Sequence, residues 1–213
     1  IDDGSDVRME EYKHRRVFCH WQNNMGKHHA QATVLRKLDP KDSDFILTVD
    51  SDSQLDKYAT EYMMRTMSNP RVKACTSTVL LSNYEKNILT RVQEFNYGNA
   101  FLIGRSSRKI LGFLETTSGA CSLYRSEIVY FHLEDYLNSG NAGDDRRLCV
   151  YSLMEGDVVY VPSAVVYTMA PEKTNQLVKQ RMRWSTSNWK FFPVYLANFG
   201  IKGCFFPILN MFT

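Results

Sequence analysis

Three short acidic segments stand out because carboxylates at such spacings can do chemistry. They are Asp2-Asp3-Gly4-Ser5, Asp50-Ser51-Asp52 and Gly143-Asp144-Asp145-Arg146. Paired carboxylates can share Mg²⁺ or Mn²⁺, which prefer oxygen ligands from protein, phosphate and water. Two adjacent carboxylates also perturb each other's pKa, so one of them can be tuned as a general base. Taken singly, each segment also fits an ordinary turn or a helix cap.

Two further segments carry groups that suit anions and sugar rings. Lys27 follows a glycine at the start of a predicted helix, where free N–H groups and the helix dipole favour negative charge. Gln180, Arg183 and Trp184 have the i, i+3, i+4 spacing of one helix face. They offer an amide, a guanidinium fork for phosphate and an aromatic plane for a sugar ring. The same spacing also fits an amphipathic helix with a buried tryptophan.

Apolar runs and helical stretches alternate along the chain, and they predict the elements that must position these groups. Predicted strands cover 17–20, 44–50, 72–80, 121–124, 158–161 and 164–167. Predicted helices cover 26–38, 56–67, 87–110, 127–138, 145–155 and 175–198, the third interrupted near Gly98 or Gly104. This alternation predicts an α/β fold with a mostly parallel sheet covered by helices on both faces. The acidic segments then fall at the carboxyl edge of the sheet, where such folds bind ligands.

Composition narrows the class of protein. Hydrophobic residues make up 44% and charged residues 23% of the 213 residues, as in an ordinary globular domain, which excludes a disordered chain. The formal net charge of +3 is too small to indicate a nucleic-acid partner. The five cysteines are scattered without a CxxC pair, so we expect a reducing compartment, no disulfide framework and no structural zinc.

Both ends suggest a piece of a larger chain. Ile1 resembles the last residue of a strand whose start is missing, within a domain that we place at residues 1–190. Residues 191–201 carry no charge, and Lys202 separates them from a second uncharged run. Neither run reaches the about 18 to 20 residues that span a bilayer. For residues 191–213 we therefore expect amphipathic helices at a membrane interface or the start of a transmembrane helix. An ordinary docking helix followed by a loop is the alternative.

Six motifs in a fixed order resemble the processive family 2 glycosyltransferases. The motifs are DDGS, GKxxAQ, VDSDS, SGxxSxYR at 118–125, GDDR and QxxRW, and they span nearly the whole chain. Hyaluronan synthases match best, ahead of cellulose, chitin and Nod-factor synthases, and residues 90–101 also look like a hyaluronan synthase segment. The resemblance implies a GT-A-type fold and a flanking set of transmembrane helices.

The resemblance also implies a role for each matching residue. On the donor side, Asp2 and Asp3 would contact the uridine, and Lys27 would lie near the uracil or the diphosphate. Asp50 would contact the nucleotide, and Asp52 would bind the Mg²⁺ or Mn²⁺ ion. On the acceptor side, Asp145 would be the general base. The acceptor end would be lined by Ser118, Gly119 and Cys121. The diphosphate and the terminal sugar of the growing chain would be held by Gln180, Arg183 and Trp184.

The activity that the resemblance implies is inverting, metal-dependent transfer from UDP-sugars to a growing β-linked polysaccharide. UDP-GlcNAc and UDP-GlcA are the candidate donors. The full-length protein would be a multi-pass protein of the cell membrane, with this domain on the cytoplasmic side and in contact with lipid through its flanking helices. Ala120 stands where hyaluronan synthases usually have proline, which leaves the product open. The alternatives are another capsular polysaccharide or chitin-type synthase, an inactive nucleotide- or carbohydrate-binding subunit, and an interfacial lipid-binding domain.

Overall fold

The computed structural model describes residues 2–4, 17–110, 112–138 and 143–209. The strands are β1 Asp2–Asp3, β2 Trp21–Gln22, β3 Phe45–Val49, β4 Gln54–Leu55, β5 Val72–Leu81, β6 Cys121–Arg125 and β7 Asp157–Thr168. The helices are α1 Lys27–Leu35, α2 Ala59–Met67, α3 Ile88–Gly98, α4 Ser106–Ile110, α5 Ser126–Phe131, α6 Leu133–Asn138, α7 Asp144–Glu155 and α8 Thr174–Leu209. A π-helical turn, Asn99–Arg105, joins α3 to α4.

The main sheet has the strand order β3-β6-β5-β7-β4. Only the pair β5·β7 of this sheet is parallel, whereas β3·β6, β5·β6 and β4·β7 are antiparallel. The α/β class is therefore confirmed, but the sheet is mixed rather than mostly parallel. The expectation of a parallel sheet was wrong because periodicity marks a strand without fixing its direction, and β6 enters between β3 and β5 in the opposite direction.

Both faces of the sheet are covered, as the sequence pattern predicts. Residues Ala74 to Val79 of β5 are all buried, although alternate side chains of a strand point to opposite faces. On α2, the side chains of Met63 and Met67 are buried in the main core. That core also includes Tyr124 of β6 and Tyr160 of β7. The site residues at the strand ends are thus attached to a close-packed support.

The sequence pattern predicts two strands separated by Pro162, but the structure has one continuous strand, β7. Ser77 pairs with Val161 and Thr78 pairs with Val165, so residues 162–164 form a bulge in one continuous strand. The Pro162 carbonyl accepts a hydrogen bond of 2.9 Å from Thr78 Oγ1. A bulge tolerates proline because the residue needs no ladder N–H there.

The predicted strand at 17–20 lies a few residues too early. The structure forms β2 at Trp21–Gln22 instead, pairing it in parallel with Asp2 and Asp3 of β1. This position brings the Gln22 side chain to Asp3 Oδ1 at 2.7 Å. The predicted helical stretch 87–110 is closer to the structure, since the α-helix ends at Gly98 and continues as a π-turn.

The last helix, α8, is kinked at Gly200, where φ is 60°. Its Phe191 and Tyr195 side chains are buried in a second apolar cluster with Phe113 and Val150. On other sides of the same helix, Trp189, Leu196 and Ile201 are exposed. Among the helices of the described ranges, none combines the length and the apolar character needed to cross a bilayer.

Candidate active site

Three segments that are distant in sequence converge on Gly119, just before β6. A Cβ atom at Gly119 would lie 3.1 Å from Asp50 Oδ2, 3.3 Å from Lys27 Nζ and 3.7 Å from Asp145 Oδ2. Lys27 also forms an ion pair with Asp50. The Asp50 N–H donates to the Ala120 carbonyl at 3.3 Å, which fixes the end of β3 beside this glycine. The absence of a side chain at Gly119 leaves open the space where these charged groups meet.

The first acidic turn is held by backbone donors from the start of α1. Asp3 accepts hydrogen bonds from the N–H of Met25 at 3.1 Å and of Gly26 at 2.9 Å. Burial opposes ionisation of Asp3, but these bonds and the one from Gln22 outweigh it and keep its pKa below the usual range. Asp3 therefore stays ionised and fixes the glycine turn that presents Lys27. For Asp2 the structure assigns only its place in β1.

The second acidic turn, residues 50–52, is termed the DSD turn. Asp52 is exposed, and its nearest polar contact is a long one, 3.4 Å from Ser53 Oγ. Burial and the charge of Asp52 raise the pKa of Tyr97, and Arg181 opposes that shift. Asp52 therefore lies within electrostatic range of a tyrosine on α3.

The third acidic turn, residues 143–145, is termed the GDD turn and begins α7. Burial and the charge of Asp145 raise the pKa of Asp144 above its usual range. The positive charges of Lys27, of His28 when it is protonated, and of Arg183 oppose that shift. Asp144 therefore lies between the start of α1 and α8, whereas the Asp145 carboxylate faces Gly119. The two neighbouring carboxylates thus point into different surroundings.

The α8 residues that the sequence singles out border the same site. Arg183 and Trp184 are exposed, and the Trp184 ring lies 6.4 Å from the ring of Tyr97. The Arg181 guanidinium lies 4.7 Å from the Trp184 ring centre, in cation–π range. Gln180 Oε1 is buried without a hydrogen-bond partner among the described residues.

The acceptor-end residues fall into two groups. Ser118 and Gly119 lie at the open junction, where the Ser118 N–H donates to Thr76 Oγ1 at 2.9 Å and its carbonyl accepts from Ser122. Cys121 has no exposed surface, and its Sγ lies 3.7 Å from the sulfur of Met63. The structure therefore places the Cys121 side chain in the core and not at the junction.

Sequence reasoning did not single out Tyr97, Arg181 or Thr117 as site residues. Thr117 Oγ1 donates to the Asp145 carbonyl at 2.8 Å and so ties the segment before β6 to the GDD turn. Tyr97 and Arg181 surround Trp184. Tyr97 lies within residues 90–101, the stretch that resembles hyaluronan synthases. This resemblance is the one signal in the sequence that points to Tyr97.

The described residues contain no group of three or more His, Cys, Asp or Glu side chains arranged to hold a metal ion. A divalent cation at the DSD turn would therefore need oxygens from a ligand and from water in addition to carboxylates. Mg²⁺ and Mn²⁺ commonly bind in this way, through one or two carboxylates plus substrate phosphates. The exposed Asp52 fits that requirement.

Comparison with known sequences identifies the family. The sequence profile of Glycosyltransferase like family 2 matches residues 4–187. The chain belongs to this family. It is 33% identical over 210 residues to the hyaluronan synthase of Streptococcus pyogenes serotype M1, covering 89% of this chain and 49% of that protein. It is 29% identical over 205 residues to an N-acetylglucosaminyltransferase of Azorhizobium caulinodans, covering 89% of this chain and 51% of that protein.

These relationships confirm the recognition of family 2 and the similarity to hyaluronan synthases. The chain spans about half the length of the curated relatives it matches. A solved structure of the mannosyltransferase PcManGT from Pyrobaculum calidifontis, in complex with GDP-Man and Mn²⁺, superposes with a TM-score of 0.56. The match covers 89% of this chain and 55% of the mannosyltransferase chain at 13% identity. This structural likeness confirms the GT-A-type fold.

Proposed function

We propose that this domain transfers a sugar from a UDP-sugar to the end of a growing β-linked polysaccharide, with inversion at the anomeric carbon. One observation carries the proposal most directly. Lys27, Asp50 and Asp145, from three separate motifs, meet around the side-chain-free Gly119. A cation, a nucleotide-facing carboxylate and a candidate base are thus gathered where the donor and acceptor would react.

On the donor side, Asp3 and Asp2 would accept hydrogen bonds from the uridine, and Asp50 would contact the nucleotide. Lys27 begins α1, so its ammonium and the helix N-terminus favour the uracil edge or the diphosphate. Arg183 would add a fixed fork of donors to the diphosphate oxygens. Its exposure leaves that fork free to reach a ligand.

Asp52 is the residue that we propose as the protein ligand of Mg²⁺ or Mn²⁺. Its exposed carboxylate offers hard oxygen donors, and the ligands that it lacks can come from phosphate and water. When bound, a divalent cation at this position neutralises charge that develops on the departing diphosphate. The fold neighbour that was solved with Mn²⁺ supports a divalent cation in this class of domain.

We propose that Asp145 takes the proton from the attacking acceptor hydroxyl. Attack opposite the leaving group inverts the anomeric centre, so an α-linked donor gives a β-linkage without a covalent enzyme intermediate. Asp145 is preferred to Asp144 because its carboxylate faces the junction at Gly119. The raised pKa of Asp144 makes it the second candidate, since general bases work best with a pKa near the working pH.

The acceptor would be held by Ser118, Gly119 and the aromatic pair Tyr97 and Trp184. Aromatic faces bind the apolar faces of sugar rings, and the two rings are close enough to form one wall. Gln180 would donate its amide N–H to the diphosphate or to the terminal sugar. Retention of the chain end by such a wall would make the transfer processive.

A hyaluronan synthase-like activity with UDP-GlcNAc and UDP-GlcA is the form that the relatives support best. Transfer of a single sugar type, as in a chitin-type synthase, is the second candidate because other relatives are named N-acetylglucosaminyltransferases. An inactive binding subunit would have no need of a base, a metal ligand and a diphosphate cation together. That argument favours an enzyme over a binding module.

We also propose that the complete protein resides in the cell membrane with this domain on the cytoplasmic side. Residues 191–213 would then meet lipid at the interface. Within the described part of this segment, Leu196 and Ile201 expose their side chains, although Phe191 and Tyr195 are buried against the domain. A helix at a membrane interface buries its apolar face at the boundary between the headgroups and the acyl chains. Exposed apolar side chains such as Leu196 and Ile201 suit that position.

Product analysis with the complete protein in membranes tests this function. UDP-GlcNAc, UDP-GlcA, both together, other UDP-sugars and GDP-mannose would each be supplied with Mg²⁺ or Mn²⁺. We expect polymer only when both UDP-GlcNAc and UDP-GlcA are present. Polymer from UDP-GlcNAc alone would identify the chitin-type alternative, and absence of nucleotide release from every donor would rule out the proposed transferase.

A further inference from the structure

A cluster of buried polar side chains lies behind the GDD turn. Glu115 and Tyr195 have no exposed surface, and Arg105 and Arg146 are each 8% exposed. Arg108 forms an ion pair with Glu115 at 3.3 Å. Buried charges are costly to desolvate, and replacement by apolar side chains is often no less stable. The arrangement therefore calls for a reason beyond the stability of the fold.

The Tyr195 hydroxyl connects three segments of the chain. It donates a hydrogen bond to the backbone carbonyl of Glu115, and Arg146 Nη1 approaches it at 3.5 Å. Burial raises the pKa of Tyr195, so the hydroxyl stays protonated and remains a donor at neutral pH. Around it, the Tyr195 ring packs against Phe113, Phe191 and Phe199.

Each of the three segments carries a different part of the proposed site. Glu115 precedes Ser118 and Gly119 at the acceptor end, and Arg146 directly follows Asp145. Tyr195 lies on α8, the helix that carries Gln180, Arg183 and Trp184 toward its start. The hydroxyl therefore joins the backbone of the acceptor segment to the base-bearing turn and to the diphosphate-binding helix.

Other contacts make this junction tight. Thr117 Oγ1 donates to the Asp145 carbonyl at 2.8 Å, which gives the acceptor segment a second tie to the GDD turn. A Cβ atom at Gly143 would lie 2.3 Å from Ser187 Oγ and 3.0 Å from the Phe191 ring, so the turn packs directly on α8. A small shift of α8 would therefore change the position of the base relative to the acceptor.

We propose that Tyr195 is a positioning residue for glycosyl transfer, which holds α8, the acceptor segment and the GDD turn in one fixed arrangement. The inference rests on the proposed function. Tyr195 is too deeply buried to touch a substrate, so it acts through the Glu115 carbonyl and through Arg146. Misplacement of reacting groups by about 1 Å can cost about a hundredfold in rate, so a loosened junction should lower turnover.

Tyr195→Phe in the complete protein in membranes tests this role, because it keeps the ring and removes the hydroxyl. We expect polymer-forming kcat to fall about 5- to 20-fold while UDP affinity changes less than about threefold. Release of UDP with water as the acceptor should fall less than transfer to the polysaccharide. The ratio of polysaccharide transfer to hydrolysis should therefore fall, because water needs no alignment with the acceptor segment. A loss of folded protein alone would lower both rates equally and leave this ratio unchanged.

Tyr160→Phe is the matched control. Tyr160 is also fully buried, and its hydroxyl is paired with Thr78 Oγ1 at 2.6 Å within the sheet. The control loses one buried hydroxyl but none of the ties to α8, so its activity per UDP-binding site should equal that of the wild type. If Tyr195→Phe has the wild-type turnover and hydrolysis ratio per site, or loses no more than the control, the positioning role is wrong.

A second variant changes Arg146, which directly follows the GDD turn and contacts the Tyr195 hydroxyl. Arg146→Lys keeps the charge but shortens the reach to Tyr195, and it should reproduce the altered ratio of transfer to hydrolysis. It serves as the test if Tyr195→Phe yields no folded protein, and a wild-type ratio in Arg146→Lys would then overturn the proposal. Failure of the wild-type protein to use any donor would refute the proposed function itself, which is a separate outcome.

Discussion

The DSD turn and the GDD turn each contain two aspartates, yet the fold exposes one turn to solvent and partly buries the other. Asp52 is exposed and has one weak polar contact, whereas Asp144 is partly buried and has a raised pKa. The DSD turn ends an edge strand, while the GDD turn begins a helix packed against α8. An exposed carboxylate suits a hydrated cation, and a shielded pair suits proton transfer. The difference teaches that burial, and not residue type, divides the roles.

The largest effect should come from removing the base at the GDD turn. Asp145→Asn keeps the size and most of the hydrogen bonds but cannot accept a proton, so turnover should fall by about 10²- to 10⁴-fold. Affinity for UDP with Mn²⁺, measured by calorimetry, should be nearly unchanged. Asp144→Asn provides the comparison and should lose less turnover. If Asp145→Asn keeps more than about a tenth of the turnover, the base lies elsewhere and Asp144 becomes the first candidate.

The next effect separates the two turns by their dependence on metal. Asp52→Asn should remove the Mn²⁺-dependent part of UDP affinity, a loss of about tenfold or more, because its exposed carboxylate is the proposed ligand. Binding measured with Mn²⁺ and with EDTA checks this prediction, and circular dichroism confirms the fold. An unchanged Mn²⁺ dependence in the variant would remove Asp52 from this role.

A smaller effect should follow from adding a methyl group at Gly119, where the DSD turn and the GDD turn meet. Gly119→Ala adds a methyl group 3.1 Å from Asp50 Oδ2 and 3.3 Å from Lys27 Nζ, distances that require both side chains to shift. We expect turnover to fall about tenfold, since a small displacement of reacting groups is costly. Gly98→Ala is the control because a Cβ atom there meets nothing within 4 Å. Equal activity of the two variants would show that the junction tolerates a methyl group.

The smallest effect concerns stability and pH. The raised pKa of Asp144 means that the folded chain holds this proton more tightly than the unfolded chain. The associated stability is present below the unfolded pKa and is lost as pH rises through the folded pKa. The Tm of Asp144→Asn relative to that of the wild type should therefore rise between about pH 4 and about pH 7. A difference in Tm that is the same at both pH values would contradict this assignment.

The convergence of Lys27, Asp50 and Asp145 could be anticipated because each follows a strand end or begins a helix. Such positions collect at one edge of an α/β sheet. The direction of β6 could not be anticipated, since an apolar run has no polarity. Nor could the sequence indicate that Cys121 is sealed in the core, because one residue separates the open junction from the strand.

The buried cluster of Glu115, Arg146 and Tyr195 was also beyond the reach of sequence patterns. Its members are separated by 31 and 49 residues, and only Arg146 belongs to a motif. A buried charge looks the same in sequence as an exposed one, because its burial depends on long-range packing. Motifs therefore indicated the groups that would touch a substrate, while the groups that hold them in place emerged only from the structure.

The close packing of Gly143 on Ser187 sets an order of events during biosynthesis. The chain leaves the ribosome from its N-terminus, so the GDD turn emerges before the residues of α8 on which it rests. A fitted pocket for residue 143 does not exist until Ser187 and Phe191 have been translated and docked. The reactive edge is therefore completed only after α8 has been made, and a nascent chain carries no finished site while that helix is still being translated.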